Sequence, residues 1–444
     1  MRHELRATLS LAWPVVLTEV GWIMMGVVDT IAVGPIGPAA IGAVGTGSGV
    51  FFALMVLGIG TLFALDTFVA QGFGAGQIQE CHRWLIAGLW LAVVLSVVLM
   101  GAGFLAVLWM PSLGMDPEVL VLLEPYLANL MWSVPPLLLY TVFRRYLQAL
   151  HLVKPVMIAI VVANVVNVLA NWVFIYGHWG APALGVVGAA WATLASRVLL
   201  MAWLWWVIVR IERVRPSGLH DVPFGPDVLR IWRLAGTGLP AAFQVMLEVG
   251  VFAAASVLAA RISAESSGAH QIVLQIAGFF FMVPLGLSSA AAVRVGNAVG
   301  RGDRDGARLA GWTAILLSTI VAAVVATLLI AVPRLFIGVF TNDPGVLVIG
   351  ASLLLICAAF QPFDAVQAVA TGALRGLGDT TTPMVMNLVG HWFVGLPLAY
   401  LLCFTWGWGL TGLWIGLAVG LGLVGSAVVA TWRLRSAAPV VSLA

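Results

Sequence analysis

The strongest constraint on this chain is how little charge it carries along stretches too long for an ordinary soluble core. Asp, Glu, Lys and Arg make up 9% of its 444 residues and hydrophobic residues 62%. A soluble domain carries charge on about a quarter of its positions, so a water-facing surface of ordinary polarity cannot be built from this composition. Charges, prolines and glycines bound twelve apolar segments: 8–34, 44–70, 85–109, 119–143, 155–177, 184–209, 231–259, 270–293, 309–332, 345–370, 384–405 and 409–431. At 1.5 Å per helical residue, each is long enough for a hydrocarbon layer of about 30 Å. Barrel strands would be about 10 residues long with a polar alternate face, which these are not. The expected fold is an all-α integral membrane protein with twelve transmembrane helices. The first segment holds Glu19 and Asp29 and lacks a short apolar core followed by a cleavage site. It therefore reads as structure and not as a secretory signal.

With an even number of spans both termini lie on one side. All but three of the 21 Lys and Arg fall on that side, including Arg2, Arg6, Arg144 and Arg145. Arg261 and Arg334 fall on the other side, and Arg197 lies within a span. The positive-inside rule makes the terminal side cytoplasmic. The net charge of +3 is too small a bias to imply nucleic acid. Cys81, Cys357 and Cys403 have neither disulfide nor zinc spacing and read as small apolar fillers.

The two halves echo each other. Pro14 aligns with Pro240, Gln71–Gly76 with Val295–Gly300, Lys154-Pro155 with Thr382-Pro383, and Gly185–Gly188 with Gly409–Gly412, at offsets of 224 to 228 residues. Six spans per copy make a parallel repeat, with its axis along the membrane normal and a cleft between the bundles. The expected organisation is a six-helix lobe at 1–209, a cytoplasmic linker with a short surface helix at 210–230, and a second six-helix lobe at 231–444. This suits alternating access. A channel competes, but no repeated filter sequence is visible.

A carboxylate at the centre of a span costs about 2.5–3.5 kcal/mol on insertion scales, so each one needs a reason. Glu19, Asp29, Asp66, Glu248 and Asp364 qualify. Glu248 stands near mid-span among apolar and small neighbours, where an acid can exchange a proton or coordinate sodium. Asp364 follows Pro362, which leaves a carbonyl without its usual donor and can kink the helix beside the carboxylate. Asn167 and Asn171 are four residues apart and share a helix face, with Asn164 close to a turn further back. With Thr193 on the next span and Asp29 they supply the oxygens of a cation or relay site. Each Asn or Thr alone is more often interhelical glue. Asp66 reads as a polar anchor for the turn after it. Glu19 either lines the cleft or pairs with Arg197. His391 and His270 could carry protons, though a satisfied or interfacial histidine is the commoner case.

Other chemistries lack their residues. The glycine stretches at 72–76 and 296–300 join membrane helices and have no Gly-Lys-Ser/Thr ending, so they are not ATP loops. With no ATPase domain in the chain, an ion gradient or another subunit must supply energy. A flippase for lipid or lipid-linked substrates and a sodium-coupled importer remain alternatives. So does an intramembrane enzyme, since acids within spans can also catalyse.

In order and spacing, seven segments resemble the multidrug and toxic compound extrusion (MATE) family over essentially the whole chain. They are LAWPVVLTEVGWIMMGVVDTIAVG, ALDTFVAQGFGAG, LQALHLVKPVMIAIVVANVVNVLANW, LGVVGAAWATLASR, VPLGLSSAAAVRVGNAVGRGDRDGAR, DAVQAVATGALRGLGDTTTPM and GLTGLWIGLAVG. The likeness is nearer the NorM-like branch than the DinF-like one. It implies export of cationic amphiphilic drugs or dyes in exchange for protons or sodium ions, with no cofactor and no enzymatic activity. It also implies a monomer, in contact with membrane lipid, in a bacterial-type cytoplasmic (inner) membrane with both termini cytoplasmic.

The resemblance places Glu248 and Asp364 in the second-lobe cation region. It places Asp29, Asn167, Asn171 and Thr193 in a first-lobe cluster; Glu19, Phe360, Gln361 and His391 are additional candidates for the cleft. Sodium would be held at either set. Two departures favour protons over sodium. A tyrosine is common in the family where Phe360 stands, and phenylalanine offers no phenolic oxygen. An aspartate is often found where Asn171 stands, which leaves Asp29 as the only carboxylate of that cluster.

Overall fold

A computed structural model describes residues 2–438, apart from the side chains of residues 2, 3, 5–7 and 113. The side chains of Arg2 and Arg6, and the last six residues of the expected second lobe, lie outside the described residues. Among the described residues the regular structure is entirely helical. In chain order the helices are α1 (Arg2–Val33), α2 (Pro38–Thr61), α3 (Ala64–Gly74), α4 (Ile78–Trp109), α5 (Pro117–Met131), α6 (Val134–Ala149), α7 (Val153–Tyr176) and α8 (Val186–Val214). They continue as α9 (Val228–Ala260), α10 (Ala264–Gly300), α11 (Arg304–Ala331), α12 (Pro333–Gly338), α13 (Pro344–Leu377), α14 (Thr381–Asn387), α15 (Leu396–Tyr400) and α16 (Gly409–Arg435).

Among the described residues eleven segments are long and apolar enough to cross a membrane, and α5 with α6, bent by 45°, makes a twelfth if counted as one span. The bend has a local cause. Pro135 and Pro136 lack the N–H groups that would reach back to Met131 and Trp132, so the helix ends and restarts at Trp132-Ser133. Ser133 Oγ donates to the Leu130 carbonyl at 2.6 Å, taking up one acceptor at the break. Several spans outrun their expected bounds. The 37 residues of α10 cover about 55 Å, well beyond a hydrocarbon core of about 30 Å, so this helix must tilt or project into the headgroups.

The chain divides into two compact units. One is Leu17–Ala242; the other joins the residues before Leu17 to those from Phe243 onward. The boundaries fall inside α1 and α9, just past Pro14 and Pro240.

In the first unit the core is made by α2 to α8, with Trp84, Tyr126, Tyr140 and many Leu and Ala fully enclosed. Backbones come very close where α9 begins. A Cβ on Gly238 would lie 1.8 Å from the Thr61 carbonyl oxygen, so only glycine fits there. Arg144 and Arg145, read from the sequence as residues at a span end, lie buried on α6. Arg144 is paired with Glu19, and Arg145 Nη1 lies 3.0 Å from Asp66 Oδ2. Burying an arginine is costly, and each of these two takes a carboxylate from another helix in compensation. Of the two readings of Glu19, lining the cleft or pairing with Arg197, this replaces the second with a pairing to Arg144. It also gives Asp66 a partner that the reading as a turn anchor did not name.

The segment 210–230, expected as a polar crossover, is helical at both ends, since α8 runs to Val214 and α9 starts at Val228. Between them stands one 3-10 turn, Leu219–Asp221. The Glu212 carboxylate accepts from the backbone N–H of Ser217, Gly218 and Leu219 at 2.9–3.0 Å and so fixes this turn to α8.

In the second unit α10 and α13 pack together most extensively, flanked by α11 and α16. Ser288 Oγ donates to the Ala368 carbonyl at 2.7 Å, and a Cβ on Gly372 would fall 2.2 Å from the Ser288 carbonyl oxygen. Helix α13 runs unbroken through Pro362, so the expected kink does not end the helix. The eleventh span does depart from α geometry, with π-helical turns at Leu388–Gly395 and Leu401–Thr405. Trp392 in the first of these donates from Nε1 to the Leu247 carbonyl at 2.9 Å, tying it to α9.

Candidate functional site

The first-unit residues singled out by the sequence converge on one carboxylate. Asp29, on the last turns of α1, is 5% exposed. Its Oδ1 accepts from Asn167 Nδ2 at 3.0 Å and Asn171 Nδ2 at 2.7 Å, and its Oδ2 accepts from Thr193 Oγ1 at 2.6 Å. The one-turn spacing of the two asparagines on α7 lets both amides reach the same oxygen. Asn164, a turn earlier, does not join them; its amide donates to the Gly21 and Ile160 carbonyls.

Because each asparagine turns its nitrogen to Asp29, its carbonyl oxygen is directed elsewhere. The Oδ1 atoms of Asn167 and Asn171 are buried and have no hydrogen-bond partner among the described residues. Unsatisfied buried acceptors are rare and costly, so their presence beside a buried carboxylate calls for an explanation. Three neutral donors thus meet the carboxylate, and the two amides that supply two of them keep unused acceptor oxygens.

The second unit is organised differently. Glu248, half-buried on α9, accepts from Gln244 Nε2 at 3.1 Å, one turn back on the same helix. The sequence reading passed over Gln244, although its spacing of four from Glu248 was the available signal. Asp364, buried on α13, lies within electrostatic reach of Glu248, and its carboxylate has no hydrogen bond among the described residues. Two like charges close together with one amide donor are poorly compensated and invite a positive partner.

The remaining candidates scatter. Phe360 is buried and stacks on Trp414 with ring centroids 5.8 Å apart. Gln361 points its amide at Cys357 Sγ, 3.7 Å away, and not at Asp364. His270 is a satisfied structural residue. Trp414 Nε1, which can only donate, approaches its Nδ1 at 3.1 Å, so the ring proton sits on Nε2 and is given to Ser256 Oγ at 2.9 Å. His391 departs from the satisfied-histidine expectation: its Nε2 is buried without a hydrogen-bond partner among the described residues. Glu19 is committed to Arg144 and is not free to act alone.

The chain is similar to known proteins over nearly its whole length. The family model MatE matches the chain twice, over residues 14–173 and 240–401. A probable multidrug resistance protein NorM from Mesorhizobium japonicum is 36% identical over 446 aligned positions, covering 98% of this chain and 94% of that relative. The multidrug resistance protein MdtK of Yersinia enterocolitica is 33% identical, covering 97% of this chain and 95% of its own. A crystal structure of MATE in the bent conformation superimposes with a TM-score of 0.89 at 20% identity, covering 98% of this chain and 97% of its own, which shows a shared fold. The chain is thus a multi-pass membrane transporter and not an enzyme, belonging to the MatE family and to its NorM-like branch.

Proposed function

We propose that this protein is a cation-coupled antiporter that exports cationic amphiphilic small molecules by alternating access, with protons favoured over sodium. The observation carrying this reading is the Asp29 hub, a buried carboxylate held by three neutral donors with two spare amide oxygens beside it. Arrival of a cation or proton there changes the charge of a buried site, and such a change can bias a two-state transporter. Glu248 and Asp364 form the second coupling region. Loading one positive charge would relieve their mutual repulsion and weaken attraction for a cationic substrate. Phe360, stacked on Trp414, brings no oxygen to this region, and Asn171 brings an amide where a second acid would favour sodium. Both support proton coupling.

The paired family matches, 14–173 and 240–401, support two copies of one six-helix repeat, lobes at 1–209 and 231–444 joined by 210–230. The ionisable site candidates within the spans are mainly acidic, which favours a cationic substrate over a phosphate-bearing lipid. The relatives' designation as multidrug resistance proteins points the same way. The skew of Lys and Arg supports cytoplasmic termini in a bacterial-type inner membrane, and the protein acts as a monomer. The test is export of a cationic dye by purified protein in proteoliposomes, with pH and sodium gradients imposed separately. Export driven by the pH gradient, and lost in E248Q/D364N and in D29N, is expected. Undiminished coupled export in both variants would overturn the assignment, and strict sodium dependence would overturn the preference for protons.

A further inference from the structure

The first unit contains a buried cation whose role the Asp29 hub does not explain. Arg197 lies on α8 one turn after Thr193, on the same helix face, and is 8% exposed. Of the buried arginines Arg144, Arg145 and Arg197, the first two hold carboxylates, whereas Arg197 has no carboxylate at ion-pair distance among the described residues. Its guanidinium lies 4.4 Å over the Phe51 ring and 5.5 Å from that of Trp22. It donates from Nη1 to Ser133 Oγ, while its Nε is buried without a partner. Ser133 is the residue at the bend between α5 and α6. The nearest acid in electrostatic terms is Asp29.

A guanidinium is permanently charged, so it cannot escape burial by losing its proton. Two aromatic faces and a serine hydroxyl hold it, but these are weaker than a carboxylate would be. The carboxylate whose field it feels, that of Asp29, is meanwhile held by three neutral donors. We propose that Arg197 is the tethered counter-cation of the Asp29 hub: it rests over Phe51 and Trp22 while a transported cation occupies the hub, and its charge pairs with Asp29 when that cation leaves. In this role Arg197 is a positioning residue that competes with the coupling cation, lowers its affinity and speeds its release. The inference rests on the reading of Asp29 as a coupling site.

The competition predicts a sign that a merely structural arginine would not give. A buried unit charge near a carboxylate changes cation affinity about tenfold. In proteoliposomes exporting ethidium, R197Q should therefore reach half-maximal export at about tenfold lower concentration of the driving cation, while its maximal rate falls because release slows. R197K, which keeps the charge, should stay within about threefold of the parent. S133A, which removes the resting hydrogen bond, should shift the half-maximal concentration upward. D29N/R197Q should behave as D29N alone. An unchanged or raised half-maximal concentration in R197Q, with D29N impaired, would overturn the proposal and leave the Asp29 reading intact. Unimpaired coupled export by D29N would instead overturn the Asp29 reading itself. If R197Q is not recovered as folded protein, S133A decides: an upward shift supports the proposal and no shift overturns it.

Discussion

The ion pair between Arg145 and Asp66 gives a sharp energetic prediction. Its atoms are 3.0 Å apart and its side chains are 4% and 0% exposed, so neither charge can turn to solvent if the other is removed. Breaking such a pair leaves one uncompensated buried charge, at about 3–5 kcal/mol. R145M keeps the alkyl stem and removes the charge, and it also loses the guanidinium contact over Phe63, whose centroid is 4.2 Å away, worth about 1 kcal/mol. D66N keeps the carboxylate's shape and removes its charge. Each single variant should therefore lose about 3–5 kcal/mol. The double variant leaves no orphaned charge and should lose less than either, giving a coupling energy of about 3 kcal/mol or more.

The measurement is equilibrium unfolding of purified protein in mixed micelles, followed by tryptophan fluorescence, for the two singles and the double. Arg144 supplies an internal control. It is paired with Glu19 but also feels the Asp66 charge, so an R144M/D66N cycle should show coupling of the same sign and smaller size. If the R145M and D66N losses simply add, to within about 0.5 kcal/mol, the reasoning is refuted. The charges would then be compensated by neighbours other than each other.

Three further outcomes follow from single contacts. T193V keeps the shape of Thr193 but deletes its 2.6 Å hydrogen bond to Asp29; losing a bond to a charged group, about 1.5–3 kcal/mol, should slow coupled dye export at least tenfold, measured in proteoliposomes. G372A puts a Cβ 2.2 Å from the Ser288 carbonyl oxygen and should destabilise α10–α13 packing by about 1–3 kcal/mol, visible as a lowered thermal midpoint, whereas G422A, with nothing within 4 Å of its new Cβ, should not. W414F removes the donor to His270 Nδ1 and should lower stability by about 1–2 kcal/mol, with coupled export reduced no more than the folded fraction.

The residues of the Asp29 hub could be read from the sequence because each carried its own signal: an acid within a span, two amides at helical spacing, and a hydroxyl on the next span. Partner choice among buried charges could not. Arg144 and Arg145 stand close to a span end and look like loop residues, and only helix rotation and adjacency show that they face Glu19 and Asp66. Arg197 looked like the natural partner of Glu19 for the same reason: sequence ranks charges by depth but not by direction. The boundaries between compact units at 16/17 and 242/243 were hidden too, because they lie inside continuous apolar helices where no composition change marks them. The π-helical turns of the eleventh span have apolar sequences that read equally well as α-helix.

The two units compensate their acids in different ways, and this bears on the order of loading. Asp29 has three neutral donors and feels the Arg197 charge, which together offset part of the cost of burying its carboxylate before any cation arrives. Glu248 has a single amide and Asp364 no hydrogen-bond donor among the described residues, and Asp364 lies in the field of Glu248. Stabilisation of an empty anion reduces what an incoming cation can gain, whereas like charges in mutual repulsion gain the most from it. On the proposed mechanism the acids of the second unit should therefore capture the driving cation at the lower concentration, and Asp29 should load later. The half-saturating cation concentration of export should then follow the later-loading Asp29 hub, as the shift expected for R197Q requires, and E248Q should change it less than R197Q does. The reverse pattern would mean that donors around Asp29 hold a bound cation in place, and that the order of loading runs the other way.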